Sequence, residues 1–248
     1  MTRRPALSRI LLVVALSATF ALSTGFTAPQ RRARRPAAQR IAPPSGLDAA
    51  GPDVADVAPD LTLTDIEGNE VRLSDLWSRG ALLLVLGSAT SPEFRATARD
   101  LQLLAERLHA DVQMALVYTM EAQPTGSPGL FTDEGRPAVP AGDFARAQAG
   151  TLAERRASAR FIMEKFELGM PLQVLVDDMG NGAWSGYGPA PNNAFAIDRR
   201  GSVVGRQTWF DAGPMEGILR DLLARDQRAP TTATSGEGAD ETGEGGQP

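Results

Sequence analysis

A serine and a proline stand at positions 91 and 92, directly after the apolar run ALLLVL at 81–86 and the small residues GSAT. Ser91 suits a helix N-cap and Pro92 the first helical position, and Phe94, Ala98, Leu101, Leu104 and Leu108 recur behind them at three- and four-residue steps. The spacing predicts a strand, a tight turn and an amphipathic helix, with position 91 at the helix N-terminus. The partial positive charge of such an end lowers the pKa of a thiol held there, which makes it a natural seat for a redox nucleophile. Here the residue is serine, and the 248-residue chain contains no cysteine. A hydroxyl ionises too high for that chemistry and forms no sulfenyl intermediate. Nor is Ser91 matched to a base, because the one histidine, His109, would lie at the far end of the same helix, roughly 25 Å away at about 1.5 Å per residue. The expected role of the Ser91 hydroxyl is therefore an N-cap.

Other chemistry-bearing residues point to bland roles. Asp177, Asp178 and Asp198 are hard oxygen donors, but neighbours on a strand face opposite ways, so a polar strand exit is expected rather than a cation site. Met114, Met120, Met163, Met170 and Met179 are mostly at apolar positions and read as core filler. Trp184 and Tyr187 in GAWSGYG read as a surface turn packed on the core. The chain has no phosphate-binding glycine loop, no His/Cys ligand cluster and no nucleophile elbow, so neither a metal nor a cofactor is expected. A net charge of −5 argues against a nucleic-acid partner.

The elements that must position residue 91 follow from hydrophobic pattern. LTLTDIEGNEVRL (61–73) reads as two short strands around a turn at 67–69, and ALLLVL as a buried parallel strand. VQMALVYT (112–119) and LQVLVDD (172–178) are further strands, and 143–168 is a helical stretch. NAFAID and SVVGRQTW form a hairpin across 198–201, and a last helix runs from about Pro214 to Ala224. Strands alternating with helices and closed by a hairpin give an α/β fold, a mixed central sheet with helices on both faces.

The opening APDLTLTDIEGNEVRLSDL resembles the entry segment of thioredoxin-fold redoxins, and the blocks GSATSPEF, VYTMEAQP, TLAERRASA, PLQVLVDDMGN and PNNAFAID, in that order, are similar to the iodothyronine deiodinase family and its bacterial relatives. The resemblance implies a thioredoxin-like fold and a selenocysteine or cysteine nucleophile at the position of Ser91. It implies a second cysteine at the position of Ala89, and histidines at those of Gln123 and Ala149. Glu121 survives, as does Pro191, which resembles the cis-proline flanking a redoxin site. The family's tryptophan and Asp-Gly are not evident in EAQPTGSPG. The candidate ligand cleft is thus Ser91, Thr90, Glu121, Gln123 and Pro191, with no catalytic residue assigned. Two functions compete: a non-catalytic module binding a small molecule or protein at that cleft, and an oxidoreductase of the deiodinase/redoxin type acting on an iodinated phenol or a peroxide.

The ends read differently from the middle. Residues 1–30 carry early arginines and then an uncharged apolar run over 10–30, the pattern of a signal peptide or signal anchor. An Arg/Pro/Ala-rich linker is expected over 31–53, one domain over 54–226, and an acidic disordered tail over 227–248. Charge on both sides of the apolar run leaves export or an outward-facing anchor ahead of an anchor facing the cytoplasm.

Overall fold

The structure, a computed structural model, describes residues 50–126 and 142–228. The segment expected to be a signal or anchor (1–30), most of the expected linker and the expected tail beyond Arg228 lie outside the described residues. Among those described, no helix is long and apolar enough to cross a membrane.

Among the described residues seven strands form one mixed sheet: β1 (Thr62–Asp65), β2 (Glu70–Arg72), β3 (Ala81–Gly87), β4 (Val112–Tyr118), β5 (Gln173–Val176), β6 (Ala194–Ile197) and β7 (Val203–Gln207), ordered β2-β1-β5-β4-β3-β6-β7. β3 and β4 run parallel from Ala81↔Val112 to Gly87↔Tyr118, and β5 is parallel to β4. β6 is antiparallel to β3, and β7 to β6. All seven residues of β3 are buried, as expected of a strand covered on both faces and flanked by neighbours on both edges.

Among the described residues the sheet is covered by the helices α1 (Leu73–Arg79), α2 (Pro92–Leu108), α3 (Leu152–Phe166), α4 (Gly182–Tyr187) and α5 (Ala212–Arg228). Leu83, Val85, Leu116 and Ala196 pack on one face with Phe94, Leu101 and Leu104 of α2, Ile162 of α3 and Leu219 of α5. Leu82, Leu84, Leu86 and Phe195 pack on the other with Leu76 and Trp77 of α1 and Tyr187 of α4. Alternate residues of β3 thus feed separate cores, which is the period of two made visible. This is the α/β thioredoxin-like arrangement, and β3 delivers the chain to the start of α2.

Three local expectations change. The stretch 143–168 is broken, because a short 3-10 turn at Gly142–Phe144 gives way to irregular chain, and α3 starts only where Thr151 and Glu154 close a reciprocal capping box. α1 was hidden by its length of seven residues and by the lack of a side-chain cap at Arg72. α4 forms where a surface turn is expected, held by Asp177, whose carboxylate accepts from the backbone N–H groups of Ala183 (2.8 Å) and Trp184 (3.1 Å). Ala50 and Asp53, within the expected linker, also reach the domain: Arg206 donates to the Ala50 carbonyl at 3.0 Å and lies 3.9 Å from the Asp53 carboxylate.

Gly87 closes β3 where the Phe94 ring covers it, and an added Cβ would lie 2.5 Å from that ring. Gly87→Ala should therefore cost about 1–3 kcal/mol of unfolding free energy in urea titration. Gly169→Ala, where an added Cβ meets nothing within 4 Å, should stay within about 0.5 kcal/mol.

Candidate functional site

The turn from β3 into α2 holds Ser88, Ala89, Thr90 and Ser91, all fully buried. Ser91 is the N-cap: its Oγ accepts from Phe94 N–H at 3.1 Å and donates to Glu93 Oε2 at 3.2 Å. A cap of this type contributes about 1 kcal/mol to its helix. The hydroxyl thus has one donor and one acceptor of its own, both supplied by the first turn. His109 is the exposed C-cap of α2, with Nδ1 3.0 Å from the Glu106 carbonyl, at the opposite end of the 17-residue helix.

Glu121 holds the turn in place. Its side chain is buried, 2% exposed, and its Oε2 accepts from Thr90 N–H (3.0 Å) and Thr90 Oγ1 (2.9 Å). Its Oε1 accepts from the Tyr118 hydroxyl, which in turn accepts from Ala89 N–H at 3.2 Å. The backbone of the same segment is tied down too. Ala122 N–H donates to Ser88 Oγ (3.2 Å) and Gln123 N–H to Thr90 Oγ1 (3.0 Å). Gln148 pairs with Glu121 in both directions, accepting from its N–H at 2.9 Å and donating to its carbonyl at 2.7 Å. The β3–α2 turn and the segment after β4 are therefore one hydrogen-bonded body centred on a carboxylate.

Burial pushes the Glu121 carboxyl above its ordinary range, against the pull of Tyr118, Thr90 and the nearby Arg146 charge. Burial also raises the Tyr118 phenol, and the adjacent carboxylate raises it further. Arg95, on the first turn of α2, donates to the Ala89 carbonyl at 2.9 Å and lies 5.2 Å over the Phe144 ring. Arg146 lies 4.0 Å over Phe161, and Phe144 stacks on Phe166 at 5.5 Å. An aromatic wall with cationic edges thus borders the turn.

The structure gathers Ala89, Thr90, Ser91, Glu121 and Gln123 directly. Ala149 follows Gln148, so it too lies next to the Glu121 backbone contact. Pro191 is buried in the loop before β6, which docks through the Asn193 carbonyl on Leu86 N–H (2.9 Å) and Asn192 Nδ2 on Thr97 of α2 (3.1 Å). The expectation of a cis bond at Pro191 is corrected: the cis peptide among the described residues is Met170–Pro171. Pro191 instead takes the second position of a turn closed by Asn193 N–H on the Ala190 carbonyl, where its fixed φ suits a trans bond. The strand alternation expected to part Asp177 and Asp178 does not apply, because β5 ends at Val176 and both carboxylates turn to the start of α4, Asp177 accepting from Ala183 and Trp184 N–H and Asp178 Oδ1 from Gly182 N–H at 3.2 Å. Asp198 caps the β6–β7 turn through Arg200 and Ser202 N–H groups. Tyr118, Gln148 and Glu93 were not among the residues singled out. Tyr118 ends an apolar run and shows no polar signal, and Gln148 acts on backbone, which leaves no spacing to read.

The profile of the iodothyronine deiodinase family matches residues 51–215, which covers the strand–turn–helix unit and all of the Glu121 network. The chain belongs to the iodothyronine deiodinase family. It is similar to the type II iodothyronine deiodinase of Fundulus heteroclitus, 33% identical over 134 residues, covering 54% of this chain and 48% of that protein. The corresponding protein of Rattus norvegicus is 30% identical over 135 residues, with the same coverage. The chain thus spans about half the length of the curated relatives it matches. Among solved structures, a secreted disulfide oxidoreductase of Mycobacterium tuberculosis aligns with a TM-score of 0.45 at 14% identity, covering 65% of this chain and 96% of that one.

The direction of the Glu121 shift fixes the sign of a pH effect. A carboxyl raised on folding stabilises fully below its unfolded value, near 4.5, and that contribution is lost as pH rises through the folded value. Asp177 is raised by burial as well and has the same sign. Glu121→Gln removes only the Glu121 component. The unfolding free energy of the natural protein minus that of the variant should therefore fall between pH 4.5 and pH 8 in urea titrations. A difference that rises with pH would show an ionised Glu121 to be the favoured form.

Proposed function

We propose that this member of the deiodinase family lacks the family's redox chemistry and acts as a non-catalytic module, binding a small molecule or a partner protein at the cleft around Ser91, Thr90, Glu121, Gln123 and Pro191. The observation that carries the reading is Ser91 itself: fully buried, with its hydroxyl engaged by Phe94 N–H and Glu93, in a chain without cysteine. Removing iodine from a phenol, or oxygen from a peroxide, requires a nucleophile that gives up two electrons and is then reduced again. The serine oxygen does neither. Two further features support the same reading. Ala89 offers no resolving thiol, and Gln123 and Ala149 no proton donor, at the positions where the family resemblance implies a cysteine and histidines. Glu93 places a carboxylate beside position 91, where a thiolate would be repelled. The proposal also keeps the chain exported or anchored outward through residues 10–30, with an anchor facing the cytoplasm as the alternative.

Purified full-length protein, free of added metal, should turn over neither hydrogen peroxide nor an iodinated phenol above the protein-free rate in the presence of a dithiol. Turnover would make the chain an oxidoreductase and overturn the proposal. The electrostatic part is checked separately. Ser91→Cys should give a thiol whose alkylation midpoint lies about one pH unit higher than in Ser91→Cys combined with Glu93→Gln, because the second change removes the neighbouring anion.

A further inference from the structure

Seven methionines carry all the sulfur of this chain, which contains no cysteine. The reading of the methionines as core filler fails at Met170. Met114 and Met215 are buried, at 4% and 0% exposure, whereas Met179 is 40% exposed and Met170 84%. The turn that carries Met170 is pinned on both sides. Leu168 and Leu172 are buried, Leu172 N–H donates to the Gly169 carbonyl at 2.9 Å, and Gly169 N–H donates to Oε1 of the buried Gln102 of α2 at 3.0 Å. Met170 and Pro171 form the corner, so a fixed backbone holds the thioether out in water at a place that ordinarily takes a polar residue or glycine. No apolar patch surrounds it. Val54 and Val57 lie on the segment bonded to β7, Met179 follows the other end of β5, and the exposed residues just before the turn are Glu164, Lys165 and Glu167. A lone apolar side chain makes no docking face, and what sets this one apart is its sulfur.

We propose that Met170 is a reversible oxidation site, where a peroxide converts the thioether to the sulfoxide and a methionine sulfoxide reductase restores it. In the forward step the sulfur lone pair attacks one peroxide oxygen, and an S–O bond forms as the O–O bond breaks. The proton of the attacked oxygen moves to the departing one, which leaves as water, so sulfur is oxidised by two electrons and the peroxide reduced. In the return step a dithiol gives two electrons and two protons through the reductase, the sulfoxide oxygen leaves as water, and the dithiol becomes a disulfide. With no thiol to react first, the most accessible thioether takes the oxidant. The added oxygen faces water at Met170, whereas at Met114 or Met215 it would place a polar group in the core. The site is independent of the Ser91 cleft. Its consumption of peroxide ends at one oxygen per reactive thioether, which separates it from the turnover that would overturn the non-catalytic reading.

The test treats the full chain with hydrogen peroxide and follows oxygen gain at each methionine by peptide mass spectrometry. Met170 should react at least about tenfold faster than Met114 and Met215, and faster than Met179, with the urea midpoint unchanged once Met170 alone has reacted. The two methionine sulfoxide reductases, one for each sulfoxide epimer, should return it to the thioether in the folded protein when supplied with a dithiol. Met170→Leu should keep the natural urea midpoint and lose the fastest oxidation phase, which assigns that phase to this sulfur. Oxidation of Met179 or of a buried methionine as fast as that of Met170 overturns the proposal. So does a midpoint that falls on oxidation of Met170, or a sulfoxide that the reductases leave in place.

Discussion

The site depends on one buried carboxylate. Placing Glu121 in the interior costs several kcal/mol unless donors replace its water, and here the donors are the Tyr118 hydroxyl and the N–H and hydroxyl of Thr90. Because those donors come from the end of β4 and from the β3–α2 turn, satisfying the carboxylate and fixing the site geometry are the same event. The turn cannot relax without exposing Glu121, and Glu121 cannot leave without orphaning Thr90 N–H and the tyrosine. Removing a single partner leaves a buried polar group unpaired, which costs more than the bond contributes. A site built this way stays rigid whether or not it performs chemistry.

That coupling makes the geometry of the turn independent of the side-chain chemistry at position 91. Nothing in the network depends on the atom at position 91 being sulfur or selenium. Ser91 satisfies the same structural demand, an acceptor for Phe94 N–H at the start of α2, with an oxygen that suits capping better than a thiol. Gln123 joins the network through its backbone, its N–H donating to Thr90 Oγ1. Fold and nucleophile are thus separable in this chain. Family membership fixes the architecture, and the network that holds the turn is made without sulfur or selenium.

Much of this is legible in the sequence. The uniform apolar run of β3, the Ser-Pro start of α2 and its three-and-four repeat each carry a local physical signal, and they alone place residue 91. Thr90 and Glu121 could be singled out through resemblance, but their bond could not, because it joins residues 31 apart and leaves no periodic trace. The same holds for Gln148, which reaches Glu121 across 27 residues of sequence to touch backbone. Short elements were missed for a different reason. α4 owes its existence to the Asp177 carboxylate capping it from outside the helix, a tertiary contact and not a propensity. Pro191 shows the limit of analogy: its loop docks on β3 through Asn193 and on α2 through Asn192, and the turn closed by Asn193 sets its peptide geometry.

The central claim is that the Ser91 turn and the Glu121 segment form one closed, rigid body in the resting protein. Native-state amide hydrogen exchange reads this directly at Ala89, Thr90, Phe94, Ala122 and Gln123, whose N–H groups donate to Tyr118, Glu121, Ser91, Ser88 and Thr90 respectively. The account predicts that these five amides open only with the β3–β4 core, with protection matching that of Val85 and Leu116. Exchange at Thr90 and Gln123 that is orders of magnitude faster than in the core strands would mean that the carboxylate does not hold the site together, and would contradict the account.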